Sequence, residues 1–389
     1  MRLSCQGRTV HATYCLNIHP GESWLENLAA IREQVPQVRA ALGQTGEFGL
    51  GLRLSARAAA ELETPETLAA FRAFLADQGL YVFTVNAFPY GQFHGTEVKE
   101  RVYAPDWTTP ERATYTLAVA RILAGLLPAG VTGSISTVPG TYRAWAGPAT
   151  HASMLANLAK VVNQLALLEI ATGRRIRLAL EPEPDCIWDT AADCARLFNE
   201  ELPEQTSLSE SRVARHLGIC LDTCHQAVLF EAPADALRRL LEAGVPVAKI
   251  QVSAAPVFPC SPAALAQAAQ FVDPCYLHQT AIRREDGTVV RFPDLPPALA
   301  AARSLSAAEL RTHFHIPLGI PGWEHMGSTR DELGAEFWQT ALAAGIDQFE
   351  TETYTFGVLP PALRERPVAE NVAAELRWLL QGLGAAPSA

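Results

Sequence analysis

From residue 178 onward, apolar runs that each lead into a polar, ligand-type residue recur along this 389-residue chain. The runs are LALEPEP, LGICLDTCH, AKIQVS, HFHIPL and FETETY. Their polar residues are Glu181, Asp222 with His225, Gln251, His313 with His315, and Glu350 with Glu352. When parallel strands close into a barrel, their downstream ends meet at one rim, where the functional groups of such folds lie. The pattern therefore predicts a barrel with a polar site at its C-terminal rim.

Strand-like and helix-like segments alternate along the chain, as is typical of a parallel sheet with crossover helices. Nine strand candidates are TYCLNIH, LGLRL, LYVFTVNAF, SISTVP, IRLALEPEP, LGICLDTCH, AKIQVS, HFHIPL and QFETETYTF. The hydrophobic content of 49% is enough for one large core. We predict an α/β fold, a single (β/α)8 TIM barrel over residues 1–389. Since a closed barrel needs one strand fewer than the candidates supply, we expect HFHIPL to lie outside it.

The connection from Ser253 to Arg311 is unusually long for a barrel loop. It contains the turn-rich stretches PVFPCSP, REDGTVVRF and PDLPP, which predict an insertion or lid over residues 253–311 with a small hairpin of its own. Long connections of this kind often cover functional sites. The last residues, 383–389, are expected to form a frayed tail.

Charge and composition argue against several classes of partner. The chain has 31 Lys and Arg against 41 Asp and Glu, and a formal net charge of -10, so we expect no nucleic-acid partner. No stretch approaches the roughly 20 apolar residues of a transmembrane segment, and the N-terminus lacks a signal pattern. These features predict a cytoplasmic protein with a small-molecule substrate or metabolite as its partner. The 8 cysteines form no CxxC pair and are expected to be reduced. The oligomeric state is left open.

The two strongest site candidates are carboxylates at strand ends. Glu181 ends an apolar strand, and a charge that emerges there is costly unless it is paired or bound to a metal. Asp222 ends the next strand, and His225 follows close enough to face the same pocket. The alternative for Asp222 is the N-cap of the following helix. Both roles are compatible only if the two carboxylate oxygens are divided between them. For Glu183, which prolines flank, a structural role is preferred.

Two pairs of polar residues have strand spacing, so the members of each pair share one face of an extended segment. Two imidazoles on one face seldom lie together in a plain core, and we expect His313 and His315 to approach the pocket from the insertion. One of Glu350 and Glu352 is expected to face the barrel mouth, and the spacing does not decide which. Two further candidates for the rim, from the loops after the first and third strands, are His19 and His94.

The arrangement of these residues resembles the xylose isomerase-like barrel superfamily, which includes sugar isomerases, ketose 3-epimerases and the endonuclease IV group. Stretches such as YCLNIHPGESW, FPYGQFHGTEVKERVYAPDW, YLHQT and ETETYTFGVLP are similar to the EboE family of metabolite traffic proteins within that superfamily, over almost the whole chain. The resemblance implies a metal held by Glu181, Asp222, Gln251 and Glu352. It also implies that Glu181 and Glu352 exchange a substrate proton while His225 orients a substrate oxygen.

The third ligand position departs from the superfamily pattern. The epimerases usually have His there, whereas this chain has Gln251. An amide oxygen suits a hard cation better than it suits Zn²⁺. Mn²⁺ or Mg²⁺ is therefore favoured as the divalent metal, and Zn²⁺ is the alternative if His313 or His315 supplies the missing imidazole.

The function that the resemblance implies is metal-dependent isomerisation or epimerisation of a sugar or polyol, by proton transfer next to an oxygen that the metal polarises. The alternative is a non-catalytic carrier barrel that binds a prenylated or other small-molecule precursor and passes it on. A carrier needs a pocket, but it does not need two opposed carboxylates beside a metal. Phosphodiester cleavage, as in the endonuclease IV group, is disfavoured by the acidic chain.

Overall fold

The strands of the computed structural model form two sheets, and the model describes residues 1–88, 99–354 and 364–385. The strands in these residues are β1 (Arg2–Cys5), β2 (Arg8–Tyr14), β3 (Phe48–Arg53), β4 (Leu80–Asn86), β5 (Gly133–Thr137), β6 (Ile176–Leu180), β7 (Leu217–Asp222), β8 (Val247–Val252), β9 (Pro256–Pro259), β10 (Thr280–Arg284), β11 (Val289–Phe292), β12 (Ala307–Thr312), β13 (Gly322–Trp323), β14 (Met326–Ser328) and β15 (Gln348–Thr351).

The first sheet is a closed barrel of parallel strands. Its order is β1-β2-β15-β8-β7-β6-β5-β4-β3, and only β1 runs antiparallel to its neighbour. A parallel bridge between Cys15 and Gly51 joins the β2 side to β3 and closes the ring. The prediction of a TIM barrel is confirmed. HFHIPL lies outside the ring, as irregular backbone after β12.

The start of the barrel differs from the sequence prediction. The first barrel strand begins at Arg8, whereas the predicted strand TYCLNIH is mostly a loop and a short 3-10 helix, Leu16–Ile18. The unpredicted strand β1 pairs with β2 as a hairpin, and its turn at Gln6 and Gly7 has positive φ at both residues. Positive φ at both central residues is the conformation of a tight hairpin turn.

Crossover helices connect the barrel strands. The helices are α1 (Trp24–Leu42), α2 (Ala56–Leu62), α3 (Pro65–Gln78), α4 (Pro110–Leu126), α5 (Pro148–Thr172), α6 (Ala191–Arg196), α7 (Leu202–Gln205), α8 (Glu210–His216), α9 (Thr223–Val228), α10 (Pro233–Glu242), α11 (Pro262–Ala268), α12 (Leu295–Ala302), α13 (Ala335–Ala343) and α14 (Val368–Gly382). Local signals set their ends. Thr64 caps α3 through its side chain, and Gly79 ends it with φ 64°.

Helix α5 differs from the expectation that no stretch of the chain approaches the length and apolar composition of a transmembrane segment. It has 25 residues and is long and apolar enough to cross a membrane by length and composition. In the fold it connects β5 to β6, and one face, which includes Leu158 and Leu165, is buried against the barrel. Leu167 and Ile170 on its other side are exposed. A helix with one face in the core of a barrel is an ordinary crossover helix, so its composition is weak support for a membrane role.

The strands of the second sheet lie within residues 256–328, and we call this region the cap. The sheet is antiparallel, in the order β11-β10-β12-β9-β14-β13, and it contains the hairpin β10–β11 where REDGTVVRF indicated one. The cap sheet extends past the insertion boundaries predicted at 253–311, which stay a prediction. Residues 386–389 of the predicted tail lie outside the described residues.

Polar contacts hold the cap over the C-terminal rim. Lys99, after β4, donates to Asp294 Oδ2 at 2.9 Å and to the Tyr276 carbonyl oxygen at 2.8 Å. Arg291 of the cap donates to Asp189 Oδ2 at 2.8 Å. These bonds join the cap to the loops that follow β4 and β6, so the barrel mouth opens beneath the cap.

An ion pair occupies the interior of the barrel. Lys249 of β8 and Glu350 of β15 contact each other there, and the side chain of each is 1% exposed. Glu350 therefore faces the barrel interior and does not line the cavity at the mouth. Gly51 makes room for its carboxylate, because a Cβ at that position would lie 1.6 Å from Glu350 Oε1.

Candidate functional site

A cavity of about 320 Å³ lies between the barrel rim and the cap. Barrel and cap both contribute to its walls. The polar lining includes Asn17, His19, Asn86, Glu181, Glu183, His225, His278, His313, His315 and Glu352, and the apolar lining includes Phe88, Val102 and Leu277. A concave site with a few convergent polar groups is what a small-molecule ligand requires.

The sequence-predicted residues gather at this cavity with three exceptions. Gln251 and Asp222 are fully buried beside it, and Glu350 lies inside the barrel. His19 lines the cavity, where its Nε2 lies 3.1 Å from the Tyr14 hydroxyl and burial lowers its pKa to about 4. His94 falls outside the described residues.

Three buried imidazoles approach one another through their Nε2 atoms. The Nε2 atom of His315 lies 3.2 Å from that of His313 and 3.3 Å from that of His225. His225 comes from α9 of the barrel, whereas His313 and His315 follow the cap strand β12. The extended backbone after β12 therefore places both imidazoles of the cap beside His225 of the barrel.

The opposite ring nitrogen of each imidazole faces an oxygen that only accepts. His225 Nδ1 lies 3.0 Å from the Pro182 carbonyl oxygen, and His315 Nδ1 lies 3.0 Å from the Glu352 carbonyl oxygen. His313 Nδ1 lies 2.9 Å from Gln279 Oε1. Each Nδ1 therefore carries the hydrogen, and burial lowers the pKa of all three imidazoles. Three Nε2 lone pairs consequently face one another, with no hydrogen between them.

Two carboxylates beside the imidazoles each present an oxygen without a partner. Glu181 Oε2 and Asp222 Oδ2 are buried and accept no hydrogen bond from the described residues. Glu181, Asp222 and His225 offer ligand atoms within 4.8 Å of one another, and so do His225, His313 and His315. Unpaired buried acceptors are costly, and a divalent cation is the group that satisfies lone pairs of both kinds. The donor set fits a metal ion.

Asp222 has the capping role that the sequence offered as one of two alternatives, and its role at the site stays a prediction. Its Oδ1 accepts from the backbone N–H groups of Cys224 at 2.8 Å and His225 at 3.0 Å, which caps α9, and from Ser253 Oγ at 2.7 Å. Its Oδ2 stays without a partner. One oxygen therefore fixes the start of the helix that carries His225, and the other remains available at the site.

Gln251 and Glu352 form a supporting network rather than an open donor pair. Gln251 donates to Glu352 Oε2 through its amide nitrogen and accepts from Cys220 Sγ at 2.8 Å through its amide oxygen. Glu352 Oε1 accepts from Asn17 Nδ2 at 2.5 Å and from Asn86 Nδ2 at 3.3 Å. Both Glu352 oxygens are thus held by amide donors, which fix the carboxylate beside the cavity.

Burial favours the neutral forms of the acidic groups at the site. Burial raises the pKa of Glu181, and the nearby carboxylates of Glu352 and Asp222 add to the effect. The pKa of Glu352 is raised by burial and then by Asp222. Burial raises the pKa of Glu183 to about 8, although Tyr103 donates a hydrogen bond to its carboxylate at 2.8 Å. A cation is the usual means by which such a cluster keeps its carboxylates ionised.

Sequence reasoning missed the residues that support the imidazoles. Gln279 accepts from His313 and donates to the Tyr103 hydroxyl, which in turn donates to Glu183. His278, beside Gln279, is buried at the cavity wall. The turn-rich cap was recognised in the sequence, but no strand-end pattern marks its polar residues, because they come from antiparallel strands and loops.

Comparisons with known proteins give distant structural similarities. No family model and no curated protein matches the chain. Similar solved structures include the 3-keto-D-glucoside 4-epimerase YcjR from E. coli, with 14% identity, 96% of this chain and 99% of that chain covered, and a TM-score of 0.47. The zinc-bound IOLI protein has 11% identity, coverage of 96% and 98%, and a TM-score of 0.48. A xylose isomerase domain protein from Planctomyces limnophilus has 14% identity, coverage of 86% and 88%, and a TM-score of 0.45. At these values no argument about activity rests on them, and the barrel assignment rests on the strand topology of the chain itself.

Proposed function

We propose that this protein is a metal-dependent isomerase or epimerase of a small sugar or polyol. The observation that carries the proposal is the convergence of three imidazole lone pairs and two unpartnered carboxylate oxygens at the mouth of a barrel. These groups adjoin a cavity of small-molecule size that acidic side chains also line. The sequence resemblance to the xylose isomerase-like superfamily supports the same reaction class.

The residues that would hold the metal differ in part from those that the resemblance implies. Ligand atoms lie close together in two groups that share His225, one with His313 and His315 and the other with Asp222 and Glu181. Among the described residues, Asp222 Oδ2 and Glu181 Oε2 have no hydrogen-bond partner. Gln251 and Glu352 support the site from behind through their mutual hydrogen bond. An imidazole-rich set suits Zn²⁺ and also accepts Mn²⁺, but it is a poor set for Mg²⁺. When bound, the cation supplies polarisation of a substrate oxygen, which is worth several kcal/mol in the transition state.

The carboxylates of the chain move the proton. Glu181 takes a proton from the carbon next to the substrate carbonyl, the C–H electron pair forms the C=C bond of an enediolate, and the carbonyl π pair moves to its oxygen. Protonation of the opposite face of that carbon restores the carbonyl and gives the epimer. Protonation of the neighbouring carbon, with transfer of the hydroxyl proton from the first carbon to the former carbonyl oxygen, gives the isomer. Glu352, which three amides hold in place, is the second proton-transfer group. Positioned acid-base groups contribute roughly 10²- to 10⁴-fold to such steps.

The finer parts of the sequence interpretation belong to this proposal. The closer resemblance to the EboE metabolite traffic proteins rests on the stretches quoted above. In the proposed reaction, His225 supports the cation through Nε2, and since the Pro182 carbonyl oxygen holds its Nδ1, the substrate-orienting role that the resemblance implies for His225 is not part of the proposal. The cap covers the barrel mouth, and its contribution of His313 and His315 makes it part of the site.

The test is solvent exchange of a carbon-bound proton. Protein loaded with Zn²⁺ or Mn²⁺ is incubated in D₂O with ketoses, aldoses and cyclitols, and deuterium incorporation is followed by NMR. We expect incorporation into at least one compound, with a large loss in Glu181→Gln and in Glu352→Gln. Glu336→Gln is the matched control, because that side chain is 69% exposed and far from the chemistry.

Two results would overturn the proposal. Tight binding of a compound by the metal-loaded protein without any exchange would make the carrier the better account. Exchange that persists in both site variants would show that other carboxylates move the proton, with Glu183 the next to replace.

A further inference from the structure

Three buried polar atoms on residues that line the cavity have no hydrogen-bond partner among the described residues. They are Glu181 Oε2, Asn17 Oδ1 and His278 Nε2. Glu181 belongs to the donor set described above. Asn17 and His278 play no part in it, and their free atoms lie on the barrel and on the cap respectively. A buried polar atom without a partner destabilises the protein, and a bound ligand that hydrogen-bonds to the atom removes that cost.

The free atom of His278 is an acceptor. Its Nδ1 lies 2.8 Å from the His313 carbonyl oxygen, and since a carbonyl oxygen only accepts, Nδ1 carries the hydrogen. The ring stacks on Phe314 with centroids 3.5 Å apart, and the residue is 3% exposed. Its Nε2 lies 3.8 Å from Asp273 Oδ2, beyond hydrogen-bond distance. The carboxylate of Asp273 forms an ion pair with this ring when the ring is protonated. In the neutral ring, Nε2 keeps its lone pair and accepts no hydrogen bond from the described residues.

The free atom of Asn17 is also an acceptor. Its amide nitrogen donates to Glu352 Oε1 at 2.5 Å, so the amide is oriented by the carboxylate. Its Oδ1 is the atom that remains. Each of these two atoms can therefore accept a hydrogen bond from a donor group of the ligand.

The cations at the cavity are engaged by the protein. Lys99 donates to Asp294 Oδ2 and to two backbone carbonyl oxygens. Arg53 donates to Glu22 Oε1 at 2.8 Å and to the Gly21 carbonyl oxygen at 2.9 Å. Among the described lining residues, a phosphate or carboxylate group of a ligand would therefore contact hydrogen-bond acceptors and cations that are already paired with the protein.

We infer that Asn17 Oδ1 and His278 Nε2 each accept a hydrogen bond from a hydroxyl group of an uncharged polyhydroxylated substrate, one from the barrel and one from the cap. This inference rests on the proposed function, because it places the substrate in the same cavity. It makes both residues determinants of specificity. A site built to receive hydroxyl donors rejects analogues that lack them.

The test is calorimetric titration of Zn²⁺-loaded protein with D-fructose, D-xylulose, xylitol and myo-inositol, and with the monophosphate ester of each. At least one uncharged compound is expected to bind at least about tenfold more tightly than its ester. His278→Asn keeps an amide donor near Nδ1 but removes the acceptor, and should weaken that binding by about 10- to 100-fold. His278→Gln places an amide oxygen near Nε2 and should recover part of the loss.

His216→Asn is the matched control for the variant protein. His216 is also buried with Nδ1 facing a carbonyl oxygen, that of Ile176 at 3.1 Å, but it does not line the cavity. Metal content and melting temperature are measured for every variant, so that a loss of binding in His278→Asn counts only where the metal is retained. A monodeoxy derivative that lacks the hydroxyl bound by His278 should bind the wild-type protein weakly. Its affinity for His278→Asn should be no lower than its affinity for the wild-type protein.

Three results would overturn the inference. They are unchanged binding by metal-loaded His278→Asn, tighter binding of the phosphate esters, and no binding of any compound by the metal-loaded wild type. Failure of the proposed function is distinguishable, because binding of an uncharged compound that depends on His278 but shows no proton exchange would refute catalysis and leave these contacts standing.

Discussion

Replacement of Lys249 by Met should destabilise the barrel more than any surface substitution. Lys249 and Glu350 are each 1% exposed, and Lys249 also donates to Thr84 Oγ1 at 3.2 Å. Burial opposes the charged form of Lys249, but the carboxylate of Glu350 outweighs it and keeps the lysine pKa above its ordinary value. Without Lys249, the Glu350 carboxylate is left in the core, where its Oε1 already lacks a partner. Breaking a buried pair in this way costs about 3–5 kcal/mol.

The assay is urea unfolding followed by circular dichroism. Lys249→Met should lower the free energy of unfolding by about 3–5 kcal/mol, whereas the double variant Lys249→Met/Glu350→Leu should regain much of the loss because no unpaired charge remains. Lys160→Met is the control, since Lys160 is exposed on α5. A loss below about 1 kcal/mol, the range of surface pairs, would refute the argument. So would a double variant that is less stable than the single one by a further few kcal/mol.

Two further substitutions test the packing and the buried charges around the site. Gly51→Ala should abolish the stable fold or lower the melting temperature sharply, because the added Cβ would overlap Glu350 Oε1, while Gly334→Ala, which meets nothing within 4 Å, should leave the melting temperature unchanged. Burial raises the pKa of Glu375 from 4.5 to about 7, so its contribution to stability is full below about pH 4.5 and is lost as the pH rises through 7. Between about pH 5 and 8, Glu375→Gln should therefore gain about 2–3 kcal/mol in unfolding free energy relative to wild type, and parallel pH profiles of the two proteins would contradict this.

Much of the fold follows from local signals in the sequence. Apolar runs that end in Glu181 and Asp222 predicted parallel strands whose ends share one rim, and the barrel places both residues there. The helix-capping signal at Asp222 is confirmed, because its Oδ1 accepts from the first backbone N–H groups of α9, whereas its role at the site stays a prediction. Such features can be predicted from the sequence because the burial of a strand, its direction and the capping of a helix each depend on residues that are close together in the chain.

The supporting residues of the site could not be read in the same way. Glu350 lies within β15, which ends at Thr351, and its side chain points into the barrel. Glu352 follows the end of the strand, and its side chain lines the cavity at the barrel mouth. The bonds that occupy Gln251 come from Cys220 and Glu352, which neighbouring strands supply. Such contacts depend on strand register and on how the cap folds over the rim, which sequence spacing does not encode.

The most direct test of the central claim is the metal content of protein purified without chelator. The account predicts about one equivalent of a divalent transition metal, because the three imidazoles form one group of ligand atoms and Asp222 shares a neighbouring group with His225. His315→Ala should lose most of that metal, since its Nε2 lies within 3.3 Å of both other imidazole nitrogens. His11→Ala, which removes a buried histidine bonded to the Tyr81 hydroxyl, should keep it. Wild-type protein that contains no metal and takes up none on addition of Zn²⁺ or Mn²⁺, or His315→Ala that binds metal as wild type does, would contradict the account.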